Sequence, residues 1–450
     1  MSSLKGPKVA SFYTGKSVFI TGGTGFLGKT LIEKLLYSCS GIDKLYILVR
    51  DKRGYEAHER LARITNTPAF DRLKGTRNED LKKITVITGD IARPNLGLPD
   101  DILKRLEDEV SVVFHLAATV AFNLRLKDAM GININGTEEV VKLCHRMKKL
   151  QAFVHVSTAF SNSDRFEIEE KVYPMPVTLE DARHVAEMYS HDDEVISQFL
   201  GKKPNTYTFS KALAEDLVMK QCQDLPAAIV RPSIVMSSIK EPCPGWIDTW
   251  SGSTGLFVGM PAGVLKVVKG KGSNVTDLVP VDIVTNFLIV VATECQKTNE
   301  IKVYNCCTGT SNPITSNYAS AIARRVTLRY SLNELPWPFL VFTSSLIVYT
   351  LITFMLQTIP AFLIDLWCVL TGKKATQLKL QSRLKKNIEV VKFFLLNEWK
   401  FCDENVRNLF KSLSPEDKET FNFDVKSINW EKSIEDYILG ARKYLLKYEK

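Results

Sequence analysis

The chain has 450 residues, of which 45% are hydrophobic and 24% are charged, so it can bury a large core and is expected to hold two domains. Its net charge of +9 suits nucleic acid, anionic lipid or a polyphosphate ligand, but no lysine- and arginine-rich tract is interleaved with aromatic residues, which argues against a nucleic-acid partner. Nine cysteines without a C-x-x-C pair, and an N-terminal stretch without the apolar core of a signal peptide, predict reduced thiols facing the cytosol and no metal site.

A glycine-rich turn follows the first predicted strand. The sequence TGGTGFLG (21–28) stands between SVFI (17–20), which is typical of a buried strand, and KTLIEKLLYSC, whose apolar residues have helical spacing. Gly22, Gly25 and Gly28 fit the pattern G-x-x-G-x-x-G, which allows a tight turn, a close approach of backbone to a pyrophosphate and close packing of helix on strand. This context favours dinucleotide binding over a plain glycine turn, which is the alternative.

Five further apolar runs predict strands, and polar or amphipathic segments separate them. Several of these runs are apolar throughout, which is typical of strands buried on both faces between helices. The pattern predicts an α/β fold, a doubly wound parallel sheet over residues 15–300. The runs are KLYILV (44–49), ITVITGD (84–90), VSVVFHLAA (110–118), AFVHVST (152–158) and PAAIVRPSIV (226–235).

The second predicted strand ends at a basic turn, RDKRG. Enzymes that use NAD place an acid near this point on the ribose 2′-hydroxyl, and Asp51 is a candidate for that role. However, Arg50, Lys52 and Arg53 surround it, and three cations suit a 2′-phosphate better. The sequence therefore predicts NADPH as the cofactor, with a solvated basic turn as the alternative.

Tyr207 and Lys211 lie four residues apart in NTYTFSKALAEDLV (205–218), a segment with helical periodicity, so their side chains share one face. A phenol is a poor acid at neutral pH unless a cation stabilises its phenolate, and a lysine one turn away can do this while it also holds a ribose hydroxyl. The pattern Y-x-x-x-K also arises by chance on solvated helices. Its position after the fifth strand favours a catalytic pair.

Residues 338–370 form a long apolar segment, uncharged from Phe339 to Ile364 and therefore long enough to cross a bilayer. Basic residues flank it on both sides, which favours no single orientation. The sequence predicts a re-entrant or surface-lying hairpin with both ends in the cytosol, and a buried helix pair of a soluble protein is the alternative. Residues 372–450 are typical of a small, basic, helix-rich domain.

The glycine turn and the later Y-x-x-x-K resemble the extended short-chain dehydrogenase/reductase superfamily. By this resemblance Asp90 contacts adenine, Ala117 in HLAA lines the cofactor, and Asn133 is a structural asparagine. The resemblance also implies that Thr158, with Tyr207 and Lys211, forms the catalytic group. The cofactor-binding residues expected from the motifs and the resemblance are Thr21, Gly22, Gly25, Phe26, Leu27, Gly28, Arg50, Asp90, Ala117, Asn133, Tyr207, Lys211, Arg231 and Pro232.

A narrower resemblance covers nearly the whole chain. The 49 residues from Thr158 to Tyr207, the apolar segment, the stretch EPCPGWIDTWSGSTGL and the C-terminal SINWEKSIEDYILGARKYL are similar to alcohol-forming fatty acyl-CoA reductases, most like those of insect pheromone glands. This resemblance implies a sterile-type domain over 372–450. It also implies reduction of long-chain acyl-CoA to the primary alcohol by two hydride transfers from NADPH through an aldehyde, in lipid or pheromone biosynthesis.

Other functions are compatible with the same motifs. A membrane-associated reductase of a sterol or another hydroxy/keto lipid, an aldehyde-releasing acyl-CoA reductase, a nucleotide-sensing module and a membrane scaffold are the alternatives. The expected partners are long-chain acyl-CoA and membrane lipid, because an acyl chain partitions at a bilayer while its CoA head stays in water. The expected location is a membrane, on the cytosolic face of the endoplasmic reticulum.

Overall fold

The structure is a computed structural model that describes residues 8–50, 57–250, 254–297, 300–330 and 338–447. The strands of the described residues are β1 Ser17–Thr21, β2 Lys44–Val49, β3 Ile84–Thr88, β4 Val110–His115, β5 Ala152–Val156, β6 Glu167–Ile168, β7 Ala227–Pro232, β8 Ile234–Met236, β9 Val267–Lys269, β10 Leu278–Pro280, β11 Lys302–Cys306, β12 Val341–Thr343 and β13 Lys400–Phe401.

The α-helices of the same residues surround the central sheet and form the C-terminal region. They are α1 Lys8–Phe12, α2 Phe26–Ser38, α3 Ala57–Thr65, α4 Asp71–Arg77, α5 Asp100–Glu109, α6 Leu126–Met130, α7 Gly136–Arg146, α8 Leu179–Met188, α9 Asp193–Leu200, α10 Thr206–Gln221, α11 Thr254–Gly259, α12 Val281–Glu294, α13 Ser316–Arg329, α14 Leu346–Thr353, α15 Ile359–Leu370, α16 Gln377–Leu396, α17 Glu404–Ser412, α18 Pro415–Thr420 and α19 Trp430–Gly440.

The central sheet has seven strands in the order β11-β7-β5-β4-β1-β2-β3, and all of its pairs are parallel. The strand order reverses between β1 and β4, which opens the crevice where doubly wound sheets bind nucleotides. The predicted doubly wound parallel sheet is confirmed, and each of its six predicted strands is present. β11 was not predicted because its sequence, KVYNC, is short and carries a lysine and an asparagine.

Two hydrophobic cores lie on opposite faces of the sheet. Along β1, Val18 and Ile20 point into one core, while Phe19 points into the other. This alternation follows from the two-residue period of a strand. On one face α2 packs against α12, and on the other α10 packs against α7. Strands covered on both faces explain why the runs are apolar throughout.

The C-terminal region packs into the first of these cores. Side chains of α19, among them Ile434 and Tyr437, belong to the same hydrophobic cluster as Phe287 of α12. The Tyr437 hydroxyl hydrogen-bonds the Thr254 hydroxyl at 2.9 Å, and Asn286 donates to the carbonyl of Asn422 at 2.9 Å. The central sheet and the C-terminal helices therefore share a continuous core.

One helix of the described chain, Leu346–Leu370, is long and apolar enough to cross a membrane, by length and composition alone. It consists of α14, a π-helical turn over Phe354–Thr358, and α15. Pro360 explains the turn, because its ring has no N–H and clashes with the carbonyl four residues earlier. Most apolar side chains of this helix are exposed, so the buried helix pair of a soluble protein does not describe it.

Candidate active site

A cavity of about 620 Å³ opens at the carboxyl ends of β1, β4, β5 and β7. Its lining begins at the glycine turn and continues past the end of β5 to an apolar region between α13 and α16. It thus joins the crevice of the sheet to the C-terminal region. Among the predicted site residues, those that line it are Gly22, Gly25, Phe26, Leu27, Gly28, Arg50, Ala117, Thr158, Tyr207, Lys211 and Pro232.

The glycine turn forms a tight cradle in which side chains at Gly22 and Gly28 would clash with backbone atoms. Gly22 has a φ of +75°, and a Cβ atom there would lie 2.7 Å from the backbone nitrogen of Ala117. A Cβ atom on Gly28 would overlap the carbonyl oxygen of Gly22. α2 begins directly after Gly25, which caps it without a side-chain hydrogen bond. The first N–H groups of α2 therefore face the cavity end of the turn, where an anionic group would be stabilised.

Two predicted residues hold this cradle without lining the cavity. The Thr21 hydroxyl accepts a hydrogen bond from the Ala117 N–H at 3.2 Å and contacts Nδ1 of His115 at 2.8 Å. Asn133 accepts from the N–H of Thr119 at 2.8 Å and donates to Ser210 Oγ at 2.9 Å. These contacts fasten the ends of β1 and β4 to each other and to α10.

Thr158, Tyr207 and Lys211 meet at the end of β5. Asn205 caps α10 by accepting from the N–H of Thr208 at 2.9 Å, which fixes the first turn that carries Tyr207. The Thr158 hydroxyl is hydrogen-bonded to the Tyr207 phenol. Lys211 Nζ donates to the backbone carbonyl of Val156 at 2.7 Å. All three residues line the cavity, two with hydroxyl groups and one with an ammonium group.

Burial sets the ionisation of this group. It raises the pKa of Tyr207 to about 12, against a smaller lowering by the hydrogen bond from Thr158. Burial also lowers the pKa of Lys211 to about 8, and the charge of Glu215 opposes that change. The expectation that Lys211 lowers the pKa of the phenol is not met, because the phenol is desolvated and the ammonium group is directed to the Val156 carbonyl.

Two arginines lie at the far end of the glycine turn. Arg50 and Arg60 both line the cavity, and Arg60 donates to the Arg50 carbonyl and, at 3.3 Å, to Thr24 Oγ1. Asp90 lies beside them, with its carboxylate 3.9 Å from Arg50 Nη1, but it does not line the cavity. Arg60 was not predicted, since it lies on α3, beyond the basic turn. Asp51, Lys52 and Arg53 lie outside the described residues.

Arg231 has a different environment from the one expected. Its neighbour Pro232 lines the cavity, but the Arg231 guanidinium is buried and donates to both carboxylate oxygens of Glu215. It also donates to the carbonyls of Glu169 and Lys171. The side chain thus faces an ion pair behind the cavity, because a buried guanidinium needs a counter-charge and acceptors for its N–H groups.

Comparison with known proteins identifies the family. An NAD-binding family model described as "Male sterility protein" matches residues 20–288, and the Sterile model, with the same description, matches residues 356–448. The chain is 38% identical to fatty acyl-CoA reductase 1 of Gallus gallus over 449 residues and to that of Homo sapiens over 451 residues. Each alignment covers 98% of this chain and 87% of the relative. The chain belongs to the fatty acyl-CoA reductase family.

Solved structures agree on the fold. The terminal R domain of the myxalamid biosynthetic pathway has a TM-score of 0.65 at 19% identity, covering 95% of this chain and 91% of that one. UDP-glucuronic acid 4-epimerase from Bacillus cereus, in complex with NAD, has a TM-score of 0.56 at 14% identity, covering 96% of this chain and 99% of that one. This fatty acyl-CoA reductase family member is an oxidoreductase with the NAD(P)-binding fold of extended short-chain dehydrogenases, as its motifs indicated.

The C-terminal region of this reductase supplies an aromatic wall to the cavity. Phe122 packs on Tyr207 with ring centroids 5.4 Å apart, and Phe394 packs on Phe122 at 5.3 Å. Trp399 and Phe160 complete the cluster. The ring centroids of Trp399 and Phe394 are 5.9 Å apart, and those of Trp399 and Phe160 are 5.4 Å apart. The sequence did not predict this wall, because its members are far apart in the chain.

The 49-residue insertion between Thr158 and Tyr207 lies mostly outside the cavity lining. Among the described residues, none between 161 and 205 lines the cavity. Within the insertion, β6 pairs with β13 of the C-terminal region. Lys203 donates to the carbonyl of Ser161 at 2.7 Å and pairs with Asp164. The insertion therefore connects the reductase sheet to the C-terminal region.

Proposed function

We propose that this chain reduces long-chain fatty acyl-CoA to the primary alcohol with NADPH, by two successive hydride transfers through an aldehyde. The observation that carries the proposal is the continuity of the cavity. One end is a glycine cradle flanked by Arg50 and Arg60, the middle holds the Tyr207 phenol, and the other end is apolar. Such a cavity suits a nucleotide, a polarised carbonyl and an aliphatic chain in a row.

The cradle residues fit a nicotinamide dinucleotide. Gly22, Gly25 and Gly28 line the cavity beside the N-terminus of α2, where a pyrophosphate would be stabilised by the first N–H groups of the helix. Arg50 and Arg60 suit a 2′-phosphate, since guanidinium groups bind phosphate oxygens in pairs. Lys211 would hold the ribose. When bound, the nicotinamide supplies the hydride.

Thr158 and Tyr207 would stabilise the substrate oxygen. Both hydroxyls lie at one point of the cavity, where they can donate hydrogen bonds to an oxygen that gains negative charge as the thioester carbonyl is reduced. The phenol keeps its proton at neutral pH, because its pKa is raised to about 12. Loss of the CoA thiolate gives the aldehyde, and Tyr207 then provides a proton to the alkoxide of the second reduction.

We divide the chain into three regions, one of which associates with a membrane. These are a reductase domain over 15–300, a membrane-associated segment over 338–370 and a sterile-type domain over 372–450. Support for the membrane comes from the exposed apolar surface of Leu346–Leu370, and the substrate chemistry favours the cytosolic face of the endoplasmic reticulum. We place the reaction in lipid or pheromone biosynthesis on the resemblance to pheromone-gland enzymes.

Product analysis tests the reaction. Purified membranes carrying the enzyme receive NADPH and a panel of acyl-CoAs, and gas chromatography identifies the products. The proposal predicts the primary alcohol, with two NADPH consumed for each. Free aldehyde with one NADPH consumed would replace the proposal by an aldehyde-releasing reductase, and activity restricted to a sterol would overturn it. Tyr207→Phe should lower turnover roughly 100-fold or more while the protein stays folded, and Tyr189→Phe, on an exposed tyrosine, is the matched control.

A further inference from the structure

The helix Leu346–Leu370 buries polar side chains and exposes apolar ones, which is the reverse of a surface helix in a soluble protein. Its buried residues are Gln357, Ala361 and Asp365, which are spaced by four and therefore share one face. Most of the rest of its surface is apolar, with Thr350 as an exposed polar residue, whereas a surface helix of a soluble protein exposes mainly polar side chains. The exposed large apolar residues are Leu346, Ile347, Val348, Leu351, Phe354, Met355, Leu356, Phe362, Leu363, Leu366, Trp367, Val369 and Leu370.

Gln357 fastens the middle of this helix to the body of the protein. Its Oε1 accepts hydrogen bonds from the backbone N–H groups of Lys266 and Val267, at 2.8 and 3.1 Å, at the start of β9. Its Nε2 donates to Gln381 on α16 at 3.2 Å, and Gln381 in turn donates to the carbonyl of Val264 at 2.8 Å. A side chain that is polar in an apolar segment thus satisfies backbone groups of the neighbouring strand.

Asp365 fastens the end of the same helix. Its carboxylate accepts from three successive backbone N–H groups at the N-terminus of α16, those of Thr376, Gln377 and Leu378, at 2.8, 2.8 and 2.9 Å. These are N–H groups that a helix cannot satisfy itself, and a negative charge there is also stabilised by the helix dipole. The apolar helix therefore lies along α16 and β9 over its length.

This attachment opposes a span across the bilayer. At 1.5 Å per residue the helix is roughly 37 Å long, enough to cross. However, α15 packs against α16, so a crossing would carry the exposed cations Lys379, Arg383 and Lys386 into the hydrocarbon. A charged side chain at the centre of a bilayer is strongly unfavourable. A helix that lies in the membrane surface avoids this cost, because α16 then stays at the level of the headgroups.

We propose that Leu346–Leu370 lies in the plane of a single leaflet, with its apolar face among the acyl chains and its Gln357–Ala361–Asp365 face on the protein. The occupant of the exposed face is an anionic lipid leaflet, since Lys373, Lys374 and the cations of α16 complement acidic headgroups. The inference rests on the membrane association proposed above and specifies its geometry.

The same attachment brings the leaflet to the substrate cavity. β12, which leads directly into α14, contributes Phe342 to the cavity wall, and α16 contributes Val391, Phe394 and Leu395. The apolar end of the cavity is therefore built in part from α16, which holds the apolar helix, and from β12, which precedes it. An acyl chain entering there comes from the leaflet, not from water.

Depth measurements test this geometry on the full chain. Single cysteines replace Ile347, Met355, Leu363 and Leu370, all exposed, in a background where the partly exposed Cys243, Cys368 and Cys402 are serine. Each is labelled with bimane in vesicles of phosphatidylcholine and phosphatidylserine that carry nitroxide lipids at either a shallow or a deep position. We expect all four labels to be quenched equally, and more by the shallow nitroxide. Met188→Cys, equally exposed on α8, should not be quenched.

Three other outcomes would overturn the inference, each for a different reason. Deep quenching of Met355→Cys and Leu363→Cys, with shallow quenching of the two ends, means a span. Failure of the enzyme to float with vesicles, or its release by high salt alone, means that the membrane association itself is wrong. Labels that no lipid quenches, in a protein that elutes as a dimer, mean that a second copy covers the face. Acyl-CoA reduction is measured separately, so its failure is distinguishable from all three.

Discussion

Glu215 and Arg231 form a fully buried ion pair directly behind the proposed catalytic group, with Arg231 Nε and Nη2 donating to the two carboxylate oxygens at 2.9 and 2.7 Å. The same carboxylate accepts hydrogen bonds from the hydroxyls of Ser157 and, at 3.0 Å, Ser161. Glu215 lies two turns after Tyr207 on α10, and Ser157 directly follows β5. The pair therefore fixes α10 against the end of this strand, and we expect both members to be positioning residues.

Glu215→Gln should move the alkaline limb of the kcat/KM profile to lower pH. The charge of Glu215 raises the pKa of Lys211, so its removal lowers that pKa, and the unpaired Arg231 acts in the same direction. His115 and His155, which also face Lys211, stay neutral, since burial lowers the pKa of His115 to about 3 and holds the pKa of His155 well below its usual value.

The same variant should lose about 3–5 kcal/mol of stability, because one buried charge is left without its partner. The double variant Glu215→Gln/Arg231→Met should regain part of this in denaturant titrations. Glu187→Gln, on an exposed ion pair, is the control for both measurements. An unchanged pH profile in a destabilised Glu215→Gln enzyme would show that the pair stabilises the fold without positioning the catalytic group.

Lys211→Met should abolish activity and stabilise the protein at neutral pH. The pKa of Lys211 is lowered from 10.5 to about 8 by burial, so below pH 8 the folded state carries the cost of a buried cation. Removing it should add on the order of 2–3 kcal/mol to the free energy of unfolding at pH 7, after loss of the hydrogen bond to Val156.

The stability gained by Lys211→Met should shrink as the pH rises from about 8 to 10.5. In this window the unfolded chain binds the proton that the folded Lys211 has released, so the stability of the wild type rises toward that of the variant. Urea titrations at pH 7 and pH 9.5 measure both values. Lys220→Met, on the exposed side of the same helix, should change little. A gain independent of pH would contradict the assigned cost.

Arg50→Ala and Arg60→Ala should each reduce the preference for NADPH over NADH about tenfold or more. Both guanidinium groups face the end of the cavity where a 2′-phosphate would bind, and each paired contact to phosphate contributes about 1.4 kcal/mol or more. The ratio of kcat/KM for the two cofactors measures this. Arg63→Ala, on α3 but outside the cavity, is the control. An unchanged ratio in Arg50→Ala would remove the assignment of NADPH to this turn.

Phe394→Ala should lower kcat/KM for long-chain acyl-CoA about tenfold. Phe394 supports Phe122, which packs on the catalytic Tyr207, and it also lines the apolar end of the cavity. The expected loss combines weaker support of the phenol with lost contact to the chain. Phe393→Ala, at the neighbouring position outside the cavity lining, is the control. Equal effects of the two substitutions would mean that general packing, not the cavity wall, is what was disturbed.

The parts of the site that depend on local sequence could be predicted. The glycine turn is specified by residues within one strand–helix unit, and the positions of Tyr207 and Lys211 follow from the helical repeat. Six strands were predicted from their apolar runs, several of which are apolar throughout because both of their faces are buried. The order of those strands, and hence the position of the crevice, was not predicted, because it depends on pairing between segments far apart in the chain.

The parts of the site that depend on long-range contacts could not be predicted from the sequence. Phe394 reaches Phe122 across most of the chain, and no local pattern marks either residue. Arg231 was expected to contact the cofactor, but its buried guanidinium pairs with Glu215. Glu215 was not predicted, because it is one of many acidic residues in helical segments. In the apolar segment, Gln357 and Asp365 became informative once the helix was seen lying on β9 and α16.

The aromatic wall also has a consequence for the order in which the enzyme is made. During synthesis the glycine cradle, Tyr207 and the whole central sheet leave the ribosome before Phe394 and Trp399 do. The apolar helix Leu346–Leu370 emerges between these two sets, so it leaves the ribosome while the cavity still lacks one side. A chain that ends before α16 therefore lacks the Phe394 and Trp399 side of the cavity.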